Sequence, residues 1–228
     1  LRIFTNHGVC YTMNIQDFST IFNESEIHES FHRFKNEINP EFEWTVERGY
    51  FTENASYPAR FVSRGEFHIQ LRLNGKDGDN SCGSMYIFMH LPSEIPTVFH
   101  KFSILGYGSR STVFIRAISQ RTSNALRNYS PEVRKCFFDG EKKLKFFKSY
   151  SMAHCQLECL AEATLKKCGC TQFWMPRGKT TRVCRFSEIN CVNTLSSEQH
   201  KVSSFYGCLQ ACNDIKYEVD VYLESNLN

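Results

Sequence analysis

Apolar and polar residues alternate along two neighbouring segments in the first half of the chain, at residues 67–73 and 85–91. Strict alternation is the pattern of a β-strand that buries one of its faces. Between the two segments, Asn74-Gly75 and Asp77-Gly78 tolerate positive φ angles and favour tight turns. The pattern therefore predicts a β-hairpin or two neighbouring strands.

Two further strands and one helix are predicted from hydrophobic patterning alone. Residues 113–118 form a mostly apolar run, and residues 215–223 alternate between apolar and mostly charged side chains. Over residues 21–38 the apolar positions instead recur at helical spacing, as at Ile27 and Phe31. This spacing predicts an α-helix over residues 21–38.

The segment HCQLECLAEATLKKCGC, residues 154–170, carries stronger helix signals. Ser149 or Ser151 can cap its start, two lysines occupy its last turn, and Gly169 supplies a C-terminal stop. The sequence predicts a helix that ends at Gly169 and places two of its cysteines on one face.

A second, shorter helix is predicted near the C-terminal end of the chain. Ser196 and Gln199 have the spacing of a capping box, and Gly207 can end the helix. Together with the strands, the two helices predict a fold of the α+β class.

Length and charge exclude several classes of protein. The 228 residues are 41% apolar, which is enough for a buried core, and the net charge of +3 gives no reason to expect a nucleic acid partner. The most basic run, EKKLKFFK at residues 141–148, is interpreted as a solvated helix or strand face. No run of eighteen apolar residues could span a bilayer, and because the chain begins at Leu1 we expect a piece of a longer protein.

Eleven cysteines, eight of them from Cys155 to Cys212, are too many for a reducing cytosol unless most of them bind metal. Three N-glycosylation sequons, at Asn23, Asn54 and Asn128, are also present, the last weakened by the proline that follows it. Cysteine density and sequons together predict an extracellular chain.

A possible zinc motif, H-E-x-x-H, is formed by His28, Glu29 and His32. Its extended form requires a glycine and a third histidine further on, but Lys35 and Ile38 occupy those positions. A downstream glutamate would have to supply the third ligand. We therefore keep a zinc metalloprotease as an alternative and predict no metal site.

Other catalytic motifs are absent from the sequence. It contains no G-x-S-x-G elbow, no phosphate-binding glycine loop and no C-x-x-C pair. The spacing C-x-x-x-C followed by C-x-C is a poor match to zinc knuckles, so disulfides are the better account of the cysteines. We predict no catalytic residue and no cofactor.

Four further motifs accompany the cysteines: GVCYTMN at residues 8–14, YSPEVRKC at 129–136, FWMP at 173–176 and CLQACNDIKY at 208–217. Together with the order and spacing of the cysteines, they resemble the degenerin/epithelial sodium channel family, in particular its insect pickpocket members. Residues 15–58 match no motif of the family.

This resemblance implies a disulfide-rich channel ectodomain with a β-sheet palm, a β-ball and a two-helix, disulfide-stapled thumb. Residues 1–135 would form the palm, β-ball and peripheral part, and residues 136–212 the thumb. Residues 213–228 would form a palm strand that leads to a second transmembrane helix.

Carried over residue by residue, the resemblance also implies a ladder of four disulfides. The implied pairs are Cys136–Cys212, Cys155–Cys208, Cys168–Cys191 and Cys170–Cys184. In the family Cys159 would pair with a cysteine at the position of Tyr206, so here it is left over. Cys10 would pair upstream of Leu1, and Cys82 has no assigned partner.

The function implied is that of the extracellular region of a subunit of an amiloride-sensitive, sodium-selective channel in the plasma membrane. Implied partners are sister subunits in a trimer, with sodium ions and the membrane contacted through pore helices that this chain lacks. Acid-sensing members carry a tryptophan where Val133 stands, so proton gating is not implied. A secreted zinc metalloprotease and a secreted disulfide-rich binding module stay open as alternatives.

Overall fold

The structure is a computed structural model that describes residues 2–34, 44–47, 49–50, 84–106, 110–197 and 207–224. In chain order its strands and α-helices are β1 (Arg2–Thr5), β2 (Gly8–Tyr11), α1 (Phe18–Ile21), β3 (Trp44–Thr45), β4 (Gly49–Tyr50), β5 (Ser84–Phe88), β6 (Phe102–Gly106), β7 (Arg110–Gln120), α2 (Pro131–Arg134), β8 (Cys136–Phe137), α3 (Met152–Cys168), α4 (Ile189–Ser197), β9 (Gln210–Ala211) and β10 (Asp214–Glu224). Three 3₁₀ helices cover Glu29–Phe34, Asn124–Asn128 and Phe186–Glu188.

The described strands form two-stranded sheets. The longest is the antiparallel pair β7–β10, which runs from Asp214 opposite Gln120 to Glu224 opposite Arg110. Antiparallel pairs also join β1 to β2, β3 to β4, and β5 to β6, whereas β8 and β9 pair in parallel. Helix and sheet are thus both present, as predicted.

The strand predictions have three different outcomes. Those at residues 113–118 and 215–223 are confirmed, because the segments lie within β7 and β10. The one at 85–91 is too long: β5 ends at Phe88, and buried Leu91 and the proline after it lead into a turn. The strand at 67–73 and its turn lie outside the described residues.

The single helix predicted over residues 21–38 is wrong in the described part. Helix α1 ends at Ile21, because Phe22 is extended and forms a β-bridge with Phe147. The chain becomes helical again only in the 3₁₀ helix Glu29–Phe34. Ile27 and Phe31 are buried, so their spacing reflects contact with the core and not one continuous helix.

Helix α3 is confirmed with the predicted ends. The Ser151 hydroxyl accepts a hydrogen bond from the His154 N–H, at 3.1 Å. Gly169 ends the helix at φ +68°, in the left-handed region that favours glycine.

The predicted helix start at Ser196 is wrong, because α4 begins at Ile189 and Ser196 lies near the last described residue of that helix. The 3₁₀ helix Phe186–Glu188 leads directly into α4 and is capped by Glu188, whose carboxylate accepts the Arg185 N–H at 2.8 Å. Residues 198–206, with Gln199 and Tyr206, lie outside the described part.

The main core lies between α3 and the segments that precede it. Its buried residues are Ile15, Phe18, Ile21, Phe22, Ile27, Phe31, Phe146, Phe147, Leu157, Leu160, Ala161, Trp174 and Met175. The basic run 141–148 contributes Phe146 and Phe147 to this core, and only its bridge at Phe147 is strand-like. The interpretation of this run as a helix or strand face is therefore wrong.

Candidate functional site

The structure brings together four pairs of cysteines, the same four that the resemblance implied. The disulfides join Cys136 to Cys212, Cys155 to Cys208, Cys168 to Cys191 and Cys170 to Cys184. Because each pair lies inside the preceding one in sequence, the bonds form a nested ladder. We call residues 136–197 and 207–212, which carry this ladder, the cross-linked unit.

At one end of the cross-linked unit, two disulfides close the turn after α3. Cys168 at the end of α3 is bonded to Cys191 in the first turn of α4, and Cys170 to Cys184. A bridge between Thr171 and Val183 lies beside the second bond, with the Cys184 N–H donating to the Thr171 carbonyl at 2.9 Å. The helix ends are thereby held together.

At the other end, the unit is attached to the β7–β10 sheet. Cys212 is bonded to Cys136, its N–H donates to the Phe137 carbonyl at 2.8 Å, and its carbonyl accepts the Thr122 hydroxyl at 2.6 Å. Only Asn213 lies between Cys212 and the first residue of β10, and its side chain accepts the Thr122 N–H. A displacement of the unit would therefore act directly on β10.

Two arginines cover a buried ring at this attachment. The Arg127 guanidinium lies 4.0 Å and that of Arg134 4.9 Å from the centre of the Phe138 ring. Arg134 is also paired with Glu141, and Arg127 with Glu47. Cation–π contacts and ion pairs therefore fix the segment that enters the cross-linked unit.

A buried polar cluster joins α3 to the segment that follows β5. Glu94 and His154 are both buried, and the Glu94 carboxylate is 3.3 Å from His100 Nε2. Burial would raise the pKa of Glu94, but the hydrogen bond and charge of His100, helped by His154 and Ser151, lower it to about 2.

The imidazole of His154 is held in its neutral form by burial, which lowers its pKa to about 4. Its ring stacks on Phe147 with 3.9 Å between centroids, and its Nε2 accepts the Ile95 N–H at 3.4 Å. The pKa of neighbouring His90 is also lowered by burial. Sequence patterning gave no sign of this cluster, since its members come from distant parts of the chain.

Three cysteines take no part in the implied ladder of four disulfides. Cys10 and Cys159 are free thiols, and Cys82 lies outside the described residues. The Cys159 sulfur is buried 3.4 Å from the Cys208 sulfur.

Two of the sequons can be examined in the structure. Asn23 uses its side-chain nitrogen as a donor to backbone carbonyls, including that of Lys145 at 2.7 Å, whereas Asn128 is exposed at the end of a 3₁₀ helix. Asn54 lies outside the described residues.

The H-E-x-x-H motif does not lie on an α-helix. His28 precedes the 3₁₀ helix Glu29–Phe34, and its Nδ1 accepts the Ser30 N–H at 3.1 Å. In a 3₁₀ helix, residues four apart are rotated by about 120° relative to each other. Positions 28 and 32 of the backbone therefore do not lie on one face of a helix, which this motif requires to align two imidazoles.

Among the helices formed by the described residues, none is both long enough and apolar enough to cross a bilayer.

The chain is similar to known proteins over almost its whole length. The family described as "Amiloride-sensitive sodium channel" matches residues 1–227. Pickpocket protein 28 of Drosophila melanogaster is 24% identical over 187 residues, which is 77% of this chain and 31% of that protein. Sodium channel protein Nach of Drosophila ananassae is 28% identical over 129 residues, 55% of this chain and 25% of that protein.

The chain thus spans about a quarter to a third of the length of these relatives. Because the family match extends over almost every residue, the chain belongs to the amiloride-sensitive sodium channel family.

Proposed function

We propose that this chain is the extracellular region of a subunit of a sodium-selective, amiloride-sensitive cation channel. The observation that carries the proposal is the cross-linked unit, in which four disulfides fix two helices to each other and to β10. Its role would be to transmit a displacement to a pore that lies outside this chain.

The physical argument rests on stiffness. Helix α3 has 17 residues and so extends about 25 Å. A rod of this length, tied near both ends by disulfides, cannot relax a force by local unfolding as an unlinked helix can. The force reaches β10 through Cys212 and Asn213.

On this proposal residues 136–212 form the thumb, residues 1–135 the palm, β-ball and peripheral part, and residues 213–228 a palm strand that leads to the membrane. The subunit would assemble with sister subunits into a trimer in the plasma membrane, and it would have no enzymatic activity. Disulfides and sequons support an extracellular position, because disulfides persist in oxidising compartments and sequons are glycosylated in the secretory route.

The position can be tested with an epitope tag inserted in the exposed turn at residues 179–180 of the full-length protein. Antibody should stain intact cells at this tag, and a matched tag at the protein's N-terminus should stain only permeabilised cells. The coding sequence should contain an apolar segment of about 20 residues on each side of the chain.

Two results would contradict the proposal. Secretion of the tagged protein into the medium, with no apolar flanking segment, would favour the disulfide-rich binding module. One zinc ion per chain in the purified protein, lost in H28A, would favour the metalloprotease.

A further inference from the structure

Three sulfur atoms lie together between α3 and the segment before β9. The sulfurs of Cys155, Cys159 and Cys208 are all within 4.8 Å of one another. Cys155 and Cys208 form a disulfide, and the Cys159 thiol is 3.4 Å from the Cys208 sulfur.

Helix geometry explains why two cysteines can reach the same partner. Cys155 and Cys159 are four residues apart on α3 and therefore lie on one face. All three cysteines are buried, with exposed fractions of 1% for Cys155 and 8% for Cys159 and Cys208. Leu144 and Tyr150 pack against them, so the Cys159 thiol faces the disulfide and not the solvent.

We propose that Cys159 is an alternative disulfide partner of Cys208, so that the bond between α3 and the segment before β9 exists in two interconverting forms. In the exchange, Cys159 loses its proton to solvent and its thiolate attacks the Cys208 sulfur. The Cys159–Cys208 bond forms, the Cys155–Cys208 bond breaks, and Cys155 leaves as a thiolate that takes up a proton. One disulfide and one thiol are present before and after, so no oxidant or reductant is needed.

The exchange would move the attachment point on α3 by four residues, which corresponds to about 6 Å along the helix axis. The sulfurs of Cys159 and Cys208 would have to approach only from 3.4 Å to the disulfide length of about 2.05 Å. The two forms would therefore tether α3 to the segment before β9 at two different points on the helix. This inference goes beyond the proposed function and does not depend on it.

Exchange should be slow at neutral pH and faster at alkaline pH. Burial raises the pKa of the Cys159 thiol to about 11, with Glu158 and Glu162 raising it further and Lys142 opposing them. The reactive thiolate is thus a small fraction that grows about tenfold per pH unit below the pKa.

The test follows the purified protein after a shift from pH 6 to pH 7, 8 or 9 without added thiol. Samples are quenched in acid, alkylated with N-ethylmaleimide in denaturant, and mapped without reduction. Alkylation should move from Cys159 to Cys155, a Cys159–Cys208 peptide should appear, and the initial rate should rise about tenfold per pH unit. Alkylation of Cys159 alone at every pH would overturn the proposal.

Two variants distinguish this exchange from other routes. In C159S, Cys155 should stay unalkylated at every pH, whereas alkylation there would mean that a thiol elsewhere attacks the disulfide and would overturn the proposal. C155S should form a Cys159–Cys208 disulfide during oxidative folding. If C155S has native circular dichroism but the thiols of Cys159 and Cys208 are both alkylated, Cys159 cannot bond Cys208 and the proposal fails. If C155S does not fold, the pH series on the unmodified protein decides.

Discussion

Asn23 and Asn128 stand in the same kind of sequon but have different surroundings. The Asn23 amide donates to the carbonyls of Lys145, Leu144 and Phe147, at 2.7, 3.3 and 3.4 Å. Asn128 is exposed, and no such contact engages its amide in the described structure. Attachment of a sugar removes one of the two amide hydrogens and adds bulk.

We therefore predict that Asn128 carries an N-glycan and that Asn23 does not. A glycan at Asn23 would cost hydrogen bonds worth about 1 kcal/mol each and would displace residues 144–147. On an N54Q background, N128Q should abolish the mobility shift caused by glycosidase, and N23Q should leave it unchanged. A glycan mapped to Asn23 in the folded protein would contradict this prediction.

At the residue scale, sequence was sufficient for the cysteine pairs and insufficient for the buried polar cluster. The pairs could be named because cysteine order and spacing are specific to a family. Contact between Ile95 and His154 joins residues 59 positions apart, and no local pattern announces such a contact. The same holds for Arg127 and Phe138, which meet only after the chain has folded.

At the element scale, the contact between α3 and the segment after β5 should depend on pH. His154 has its pKa lowered to about 4 by burial, against about 6.5 in the unfolded chain. Between these two pKa values the unfolded chain binds a proton at His154 and the folded chain does not. The free energy of unfolding is therefore highest above about pH 6.5, and it decreases as the pH falls from about 6.5 to 4. Glu94, with its pKa lowered to about 2, adds a loss below about pH 4.5.

Urea unfolding between pH 7 and pH 4.5 should show this loss. The free energy of unfolding should fall by up to a few kcal/mol, and H154Q should flatten the decline because glutamine keeps an acceptor for the Ile95 N–H without titrating. H7Q, which replaces a surface imidazole, is the matched control and should show the same decline as the unmodified protein. An equally steep decline in H154Q would contradict the account.

The disulfide ladder makes a second prediction at this scale. Two successive disulfides of the ladder close a ring of backbone between them. The ring between Cys168–Cys191 and Cys170–Cys184 spans only about 9 positions, and the ring between Cys136–Cys212 and Cys155–Cys208 spans about 23. In the chain-entropy model, a bond whose neighbour already closes most of its loop contributes less.

C155A/C208A should therefore lower the free energy of unfolding by roughly 1 kcal/mol more than C168A/C191A does. Guanidinium unfolding measures both double variants, and K167A, an exposed position next to Cys168 that forms no cross-link, should change stability little. A larger loss in C168A/C191A would show that native contacts at the far end outweigh loop entropy.

Element predictions succeeded where local signals decide the structure. Ser151 and Gly169 mark the ends of α3, and strict alternation marks β10. One failed where a tertiary contact decides, because Phe22 leaves the helical conformation to pair with Phe147. Another missed a local signal: the Glu188 carboxylate accepts the Arg185 N–H and caps the 3₁₀ helix that leads into α4, ahead of Ser196.

At the scale of the whole molecule, the central claim is that the cross-linked unit acts on a sodium pore through β10. Fold alone does not imply function. Two observations support the claim: the family match over residues 1–227 and the direct attachment of Cys212 and Asn213 to the β7–β10 sheet. The full-length protein tests it.

The most direct measurement is voltage clamp of oocytes that express the full-length protein, alone or with a sister subunit. The account predicts an inward current that prefers sodium over potassium and is blocked by amiloride, with a gating response that changes in C168A/C191A and not in K167A. Protein at the cell surface that conducts no amiloride-sensitive sodium current in either setting would contradict it.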